Sequence, residues 1–139
     1  MRLNRRASLL CYLLLAACGG GGATAPVDAA IVGSYQLQTI NGFAVPAVYV
    51  QSATGKVEIL DDVYTLNADR TYTEAGHTRT TYATGAVTLS AGVDAGTFTS
   101  GNGTVQLVSN EGNGTSSGTM GGGTLTIVDQ GASLVYKKQ

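Results

Sequence analysis

The feature that most constrains the fold is a series of short runs rich in threonine, valine and tyrosine, separated by glycine, asparagine and serine, from residue 31 to residue 139. Threonine, valine and tyrosine fit the pleated surface of a sheet and are poor helix formers. Glycine and asparagine supply the positive φ that tight turns need. Since no part of this region has an apolar stripe of helical period and useful length, the pattern predicts an all-β domain.

The positions of the runs predict eight or nine short strands. Asn41-Gly42 is expected to be a turn, and the run from 56 to 66 is a longer strand interrupted by Asp61-Asp62. Residues 70 to 82 predict a hairpin with Gly76-His77 at its tip, because glycine at the first central position suits a type II′ turn. The remaining predicted strands are 86–89, 93–99, 104–109, 115–120, 124–128 and 132–137.

Glycine-threonine pairs recur along the second half of the chain, and they are expected to mark places where a turn ends and a strand begins. They occur at 96, 103, 114, 118 and 123. Short strands joined in sequence by hairpins favour an antiparallel up-and-down meander closed into a small barrel, because closure removes exposed strand edges.

The N-terminal region has the order of zones found in a secretory signal. Arg2, Arg5 and Arg6 precede an uncharged run from 9 to 17, which is shorter than the ~20 residues that cross a bilayer as a helix. Residues 1–17 are therefore predicted to be a signal peptide. Arg5-Arg6 is also similar to a twin-arginine export signal, although general secretion is the expected route.

A four-residue motif ends this signal. Leu15, Ala16, Ala17 and Cys18 resemble the lipobox of bacterial lipoproteins. The resemblance implies cleavage after Ala17 and attachment of a diacylglyceryl group, with palmitate-type chains, to Cys18. The cysteine count agrees, because Cys11 lies inside the signal and the mature chain would have one thiol and no internal disulfide. More than one acyl chain anchors a protein stably to a membrane.

The resemblance also implies a location in the bacterial cell envelope. An aspartate after the acceptor cysteine would favour the inner membrane, whereas Gly19 favours the outer membrane, on its periplasmic or surface face. Residues 18–30, rich in glycine and alanine, are predicted to be the lipidated cysteine and a tether. Residues 31–139 are long enough for one domain that folds without disulfides.

The charge of the mature chain argues against one class of partner. After residue 17 there are five basic and nine acidic residues, a net charge of −4. A chain without a basic patch offers little to a phosphate backbone, so nucleic acid is not expected to bind.

Four longer segments together resemble the small lipocalin-like, calycin-type β-barrel domains of uncharacterised bacterial lipoproteins. They are GSYQLQTINGFAVP (33–46), VYTLNADRTYTE (63–74), AGTFTSGNGTVQLVS (95–109) and GGGTLTIVDQGASLVYKK (121–138). The resemblance implies a barrel with an interior ligand cavity, and it supplies no catalytic residues. Arg70 stands where the family usually has glycine, which leaves the turn type near residue 69 open.

Few residues suggest chemistry. His77, the only histidine, is expected to be a solvated turn residue at the hairpin tip. Asp61 and Asp62 are adjacent, so in a strand they point to opposite faces and cannot act on one substrate. They are expected to belong to a turn or bulge rich in surface charge. Glu74 and Arg79 would face each other across the predicted tip as a surface salt bridge.

These residues predict no enzyme. The mature chain has too few cysteine and histidine residues for a zinc site and shows no nucleophilic triad, so no catalytic residue, metal or cofactor is expected. The segment NEGNG, 110 to 114, lacks the ligand spacing of a calcium loop and is predicted to be a hairpin loop.

The tyrosines leave two functions open. If the rings of the six tyrosines after the signal point inward, they line an amphipathic pocket. The alternative is that they fill the barrel core or cover its outer face. The six are Tyr35, Tyr49, Tyr64, Tyr72, Tyr82 and Tyr136. The first function is a tethered module that binds a small apolar or amphipathic ligand at residues the sequence does not identify. The second is a packed-core lipoprotein that contacts or inhibits an envelope protein. A transmembrane barrel is a weaker idea, because the predicted strands are shorter than the ~9–11 residues required.

Overall fold

The computed structural model describes residues 27–139, and this part of the chain contains ten strands and no helix. Within it, therefore, no helix is long and apolar enough to span a bilayer. The strands are β1 (Gly33–Ile40), β2 (Phe43–Ala44), β3 (Ala47–Ser52), β4 (Gly55–Leu66), β5 (Thr71–Tyr82), β6 (Val87–Gly101), β7 (Thr104–Ser109), β8 (Thr115–Gly121), β9 (Thr124–Asp129) and β10 (Ala132–Lys138).

The strands form one antiparallel sheet that closes on itself. Each strand from β4 to β10 pairs with the next in sequence, β10 pairs with β1, and β1 pairs with β4. The result is an eight-stranded up-and-down barrel made of β1 and β4 to β10, with β2 added beside β1 and β3 beside β4. The predicted all-β meander closed into a small barrel is confirmed.

Alternating side chains fill one half of the barrel with apolar residues. Leu37, Leu66, Phe98, Val105 and Leu125 are all at most 2 % exposed. This half ends at the hairpins that join β4 to β5, β6 to β7 and β8 to β9, and we call it the closed end.

The chain before β1 covers the closed end. Val27 and Ile31 pack against the core. The Tyr35 hydroxyl donates to the carbonyl of Ile31 at 2.7 Å, and Lys138 Nζ donates to the carbonyl of Ala30 at 2.7 Å. The N-terminal segment of the domain is thus fixed to the end opposite the hairpins that join β7 to β8 and β9 to β10, which we call the open end.

The predicted hairpin at Gly76-His77 is wrong. β5 runs through both residues and pairs with β4 along one side and β6 along the other. Gly76 is required by close approach and not by a turn, because a Cβ there would lie 2.7 Å from the backbone oxygen of Asp61. The predicted strands 86–89 and 93–99 are likewise parts of the single strand β6.

Tight turns follow the predicted chemistry more closely. Asn41-Gly42 has positive φ at both residues, 51° and 83°, as a type I′ turn requires. Arg70 itself adopts a φ of 68°, so a non-glycine residue takes the left-handed conformation there. The glycine-threonine pairs at 103, 114 and 123 lead directly into strands, whereas those at 96 and 118 lie within β6 and β8.

One part of the sheet extends beyond the barrel. β7 pairs with β6 only from Gly96 onward, so residues 87–95 of β6 have a neighbour on one side only. This stretch, the paired halves of β5 and β4, and β3 form a four-stranded extension at the open end, which we call the overhang. Val87, Leu89 and Val93 on its β6 edge are 58 %, 69 % and 80 % exposed. Barrel closure therefore does not remove every edge.

Candidate ligand-binding site at the open end

The open end of the barrel is lined by tyrosines and carboxylates in place of the apolar residues of the closed end. The strand period of two places them there: Asp62 and Tyr64 share the inward face of β4 with Leu66, and Tyr72 shares the inward face of β5 with Glu74. Four tyrosine hydroxyls each pair with one carboxylate. The pairs are Tyr136 with Asp62, Tyr64 with Glu74, Tyr72 with Asp94, and Tyr49 with Asp129.

Asp62 is the most buried of these carboxylates, with 6 % of its surface exposed. Its Oδ2 accepts a hydrogen bond from the Tyr136 hydroxyl at 2.7 Å. Its Oδ1 is buried and accepts no hydrogen bond from any residue in the described range 27–139. Burial raises the pKa of Asp62 despite the hydrogen bond from Tyr136. A buried carboxylate oxygen without a donor is a costly group, so it marks a place where a proton or a donor from another molecule stabilises the protein.

Glu74 lies beside Asp62 and opposite Tyr64 in the β4–β5 register. Burial, followed by the charge of Asp62, raises the pKa of Glu74 to about 7. Only the protonated Glu74 carboxyl can donate to Asp62, because two ionised carboxylates are both acceptors. The two carboxyls therefore tend to retain one shared proton, because losing it would place two negative charges side by side.

The other two carboxylates are held in hydrogen bonds. Asp94 accepts from the Tyr72 hydroxyl at 2.8 Å and from the Ser109 hydroxyl at 2.6 Å. Although burial acts in the opposite direction, these hydrogen bonds hold the pKa of Asp94 below its ordinary value. Asp129 accepts from Tyr49, the residue at which β3 bulges against β4. Carboxyl oxygens at the open end are thus fixed in position by hydrogen bonds before any ligand arrives.

Aromatic rings stand between these carboxylates. The Tyr64 ring meets the Tyr136 ring edge to face with centroids 5.3 Å apart, and it lies 5.9 Å from the Tyr72 ring. Burial and neighbouring acidic groups raise the pKa of Tyr64, Tyr72 and Tyr136, so all three hydroxyls stay protonated and serve as donors. The wall of the open end is therefore aromatic, and the carboxylates that accept from the tyrosine hydroxyls give it negative charge.

Three adjoining pockets open between these side chains, with volumes of about 250, 330 and 230 Å³. Glu74 lines all three. Gly76 and Gly92 face each other across β5 and β6 in the first pocket, and a Cβ on Gly92 would meet nothing within 4 Å. No lysine or arginine lines any of the three. The open end is therefore a small, partly aromatic and negatively charged cavity.

Two larger pockets elsewhere lack these features. One of about 650 Å³ is a groove on the outer surface lined by Thr99, Gln106, Ser117 and Val128. Another, of about 400 Å³, lies at the closed end beside Ile31 and Arg70. Neither brings together a buried carboxylate and aromatic rings, which is why the smaller cavities at the open end are the better candidate site.

The residues singled out by sequence are distributed differently from the expectation. Asp61 and Asp62 do point to opposite faces, but Asp62 is buried and only Asp61 is on the surface, 2.8 Å from His77 Nδ1. His77 is exposed as expected, within a strand and not in a turn.

The predicted salt bridge between Glu74 and Arg79 is wrong. Arg79 Nε donates to Glu58 at 2.9 Å on the outer face of the overhang, and Lys56 lies 3.2 Å from the same carboxylate. The cause is the straight course of β5, which turns Glu74 inward and Arg79 outward. The segment 110–114 joins β7 to β8, as predicted.

Both predicted placements of the tyrosines occur in the structure, since some fill the core or cover the surface and others line a cavity. Tyr35 fills the closed half of the core at 1 % exposure, and Tyr82 is largely exposed on the overhang. Tyr64, Tyr72 and Tyr136 are buried with their hydroxyls at the open end. Sequence reasoning missed Glu74, Asp94 and Asp129 as site residues, and the signal available was their shared parity with buried neighbours such as Phe98.

The predicted lipidation site lies outside the described residues. Across residues 27–139, no group of three or more histidine, cysteine or acidic side chains is arranged to hold a metal ion. Cys18, the predicted lipidation site, the signal peptide 1–17 and most of the predicted tether lie outside the described residues. No protein-family model matches the sequence, and neither the curated proteins nor the solved structures give a significant match.

Proposed function

We propose that this protein is a membrane-anchored lipoprotein of the bacterial cell envelope whose barrel binds a small amphipathic ligand at its open end. The eight-stranded meander is compatible with the lipocalin-like barrel that the sequence resembles. The proposal assigns no catalytic role to any residue. Its anchor is the diacylglyceryl group on Cys18, and its location is the outer membrane.

The observation that carries the ligand proposal is the contrast between the two ends of the barrel. The closed half is packed with aliphatic side chains, Phe98 and Tyr35, and the pocket beside Ile31 at that end has no buried carboxylate, whereas the open half keeps pockets between tyrosine rings and buried carboxyls. Gly92, on the inner surface of β6, leaves one of these pockets unfilled, because a side chain there would meet nothing within 4 Å of its Cβ. A protein selected only for a packed core gains stability by filling such space. An amphipathic occupant suits a wall that is aromatic and hydrogen-bonding at once.

The test is native mass spectrometry of the full chain, purified in a nonionic detergent from its own host without denaturation. We expect a reproducible added mass that disappears on unfolding. The Gly92→Leu variant should reduce it, because the new side chain occupies the first pocket without meeting a neighbour at its Cβ. Gly101→Leu is the matched control, since it also has open space around its Cβ but lies at the closed end. An unadorned mass in every growth condition would refute the binding proposal.

The anchor is tested separately. Cys18→Ala should move the chain from the membrane fraction to the soluble fraction and remove a diacylglyceryl mass from its N-terminal peptide. Retention of the variant in the membrane would refute lipidation at Cys18.

A second candidate function, docking of an envelope protein, is favoured by the overhang. Residues 87–93 have an unpaired edge, contain no charged residue and expose Val87, Leu89 and Val93. Such an edge accepts a further strand from another protein. A photo-crosslinker placed at position 89 should then join one specific partner in cells, while one at Val108, an exposed position on β7, should not. Equal crosslinking from both positions would refute docking at this edge.

A further inference from the structure

The chemistry of the open end also specifies the charge of its ligand. We propose that the site takes a small organic cation, an ammonium group on an aromatic or short aliphatic body, with the ammonium held by Glu74 and Asp62. This inference rests on the proposed binding function and narrows the class of ligand.

One oxygen of Asp62, Oδ1, has no hydrogen-bond donor in the described part of the chain. Asp62 Oδ1 is directed toward Gly76, where even a single Cβ would lie 2.8 Å from it. Both Gly76 and Asp62 line the first pocket. Glu74 is the less buried of the two carboxyls and lines all three pockets, so a donor that binds to it lies beside Asp62. An ionised Glu74 cannot donate to Asp62, and an ammonium then supplies the hydrogen bond that Asp62 Oδ1 lacks.

The groups around Glu74 and Asp62 have a net negative charge. The charged and titratable groups that surround Glu74 and Asp62 come from six strands at the open end. They are Tyr49 on β3, Tyr64 on β4, Tyr72 on β5, Asp94 on β6, Asp129 on β9 and Tyr136 on β10, with Asp61 and His77 on the outer rim. The basic side chains of the overhang are committed to Glu58. An anionic ligand would be repelled, and a neutral one would leave the buried negative charge uncompensated.

The tyrosine rings at the open end also favour a cation. The rings of Tyr64 and Tyr136 flank the pocket of about 230 Å³ that also contains Asp62 and Glu74. Tyrosine rings attract cations through the negative potential of their faces. Cavities of this size are below or at the lower limit for drug-sized ligands, so the organic body must be small. The absence of a metal-ligating group across residues 27–139 favours an organic cation over a metal ion.

The test uses three probes of matched shape and different charge: 2-phenylethylammonium, 2-phenylethanol and 3-phenylpropanoate. Each is titrated into the full chain in detergent at pH 8 and low salt, with calorimetry and tyrosine fluorescence as readouts. Tyrosine fluorescence can be read without overlapping tryptophan emission, because the chain has no tryptophan. We expect the ammonium to bind at least tenfold more tightly than the alcohol and the carboxylate not to bind.

Two variants and one control locate the effect. Asp62→Asn keeps an oxygen to accept from Tyr136 and replaces the second oxygen with a donor, so it should weaken the ammonium by tenfold or more and change the alcohol by less than threefold. Glu74→Gln, at a partly exposed position that tolerates change more readily, should do the same. Asp69→Asn makes the same substitution in the exposed turn between β4 and β5 at the closed end, away from all three pockets, and should leave the ammonium affinity within twofold of wild type.

The outcomes separate this inference from the proposal on which it rests. If all three probes bind equally and Gly92→Leu weakens all of them, the site binds ligands but the preference for a cation is wrong. If no probe binds, the cation inference is also wrong, whereas the added mass in native mass spectrometry still decides the binding function. If the ammonium binds selectively but Asp69→Asn weakens it as much as Asp62→Asn, general surface charge and not this site is responsible, and the inference is overturned.

Discussion

The carboxyl pair at the open end predicts how the stability of the protein depends on pH. The perturbation is Glu74→Gln, which replaces the carboxyl with a neutral group of the same shape that still donates a hydrogen bond. Because the pKa of Glu74 in the folded protein is raised from 4.5 to about 7, the folded state holds a proton that the unfolded state has released between these values. The contribution of this group to the free energy of unfolding is therefore fully present below pH 4.5. It decreases as the pH rises from 4.5 to about 7 and is lost above that value.

The size of the effect follows from the same numbers. Each tenfold difference in proton affinity is worth about 1.4 kcal/mol, so a rise from 4.5 to about 7 has an upper bound of ~3 kcal/mol. Glu74 is partly exposed at the junction of three pockets, and water screening reduces this to about 1–2 kcal/mol. The variant should match wild type at pH 5 and exceed it by about 1–2 kcal/mol at pH 8.

The assay is urea unfolding of the full chain, followed by far-ultraviolet circular dichroism at pH 5, 6, 7 and 8. Glu111→Gln is the control, because it makes the same substitution in the exposed loop between β7 and β8. It should track wild type at every pH. A constant difference in the free energy of unfolding between Glu74→Gln and wild type from pH 5 to 8 would show that the fold does not hold a proton at Glu74.

Three further predictions concern stability, each measured by urea unfolding. Gly96→Ala should cost about 3 kcal/mol or more, because its Cβ would lie 1.9 Å from the Val108 carbonyl oxygen; Gly92→Ala on the same strand has open space and should stay within about 1 kcal/mol of wild type, and equal effects would contradict the close approach of β6 and β7. Gln130→Asn should stabilise the protein by roughly 0.5 kcal/mol, because residue 130 has a φ of 48° before Gly131 and asparagine adopts this conformation more readily; a loss of stability would argue against a type I′ turn. Tyr136→Phe should cost about 1–3 kcal/mol by leaving Asp62 Oδ2 without its 2.7 Å donor, whereas Tyr82→Phe at an exposed position should have little effect; indistinguishable variants would remove Asp62 from the buried network.

The sequence was sufficient for the fold class because the relevant signals are local. Asparagine and glycine at 41 and 42 select the turn after β1, and β-branched residues with a period of two select strands. Up-and-down connections then require only that each strand pairs with the next. Closure between β1 and β4 follows from the need to remove edges, and the prediction of a barrel rested on that argument.

The course of β5 was not predictable from the turn chemistry of Gly76 alone. A glycine suits a II′ turn and a close strand crossing equally well, and only the long ladder with β4 and β6 decides between them. The wrong hairpin moved Glu74 to the surface in the prediction and paired it with Arg79. Misplacing one turn therefore concealed the candidate site, because strand direction determines which carboxylates meet.

Charged residues inside a barrel are a second source of error. Local reasoning assigns Asp62 to the surface, since an isolated buried carboxylate is expensive. Its environment is supplied by Tyr136, which is distant in sequence, and by Gly76 on the neighbouring strand. Such compensation depends on tertiary contacts and has no signature within a short window of sequence.

The attachment of the N-terminal segment to the closed end determines how the barrel faces its surroundings. Val27 and Ile31 bring the chain into the domain at the end opposite the carboxyl pair. A membrane anchor upstream of Val27 would therefore be joined to the barrel at the end away from the pockets, so the attachment point would not block their entrance. We expect a protein attached in this way to take up molecules already dissolved beside the membrane, without first extracting them from the bilayer.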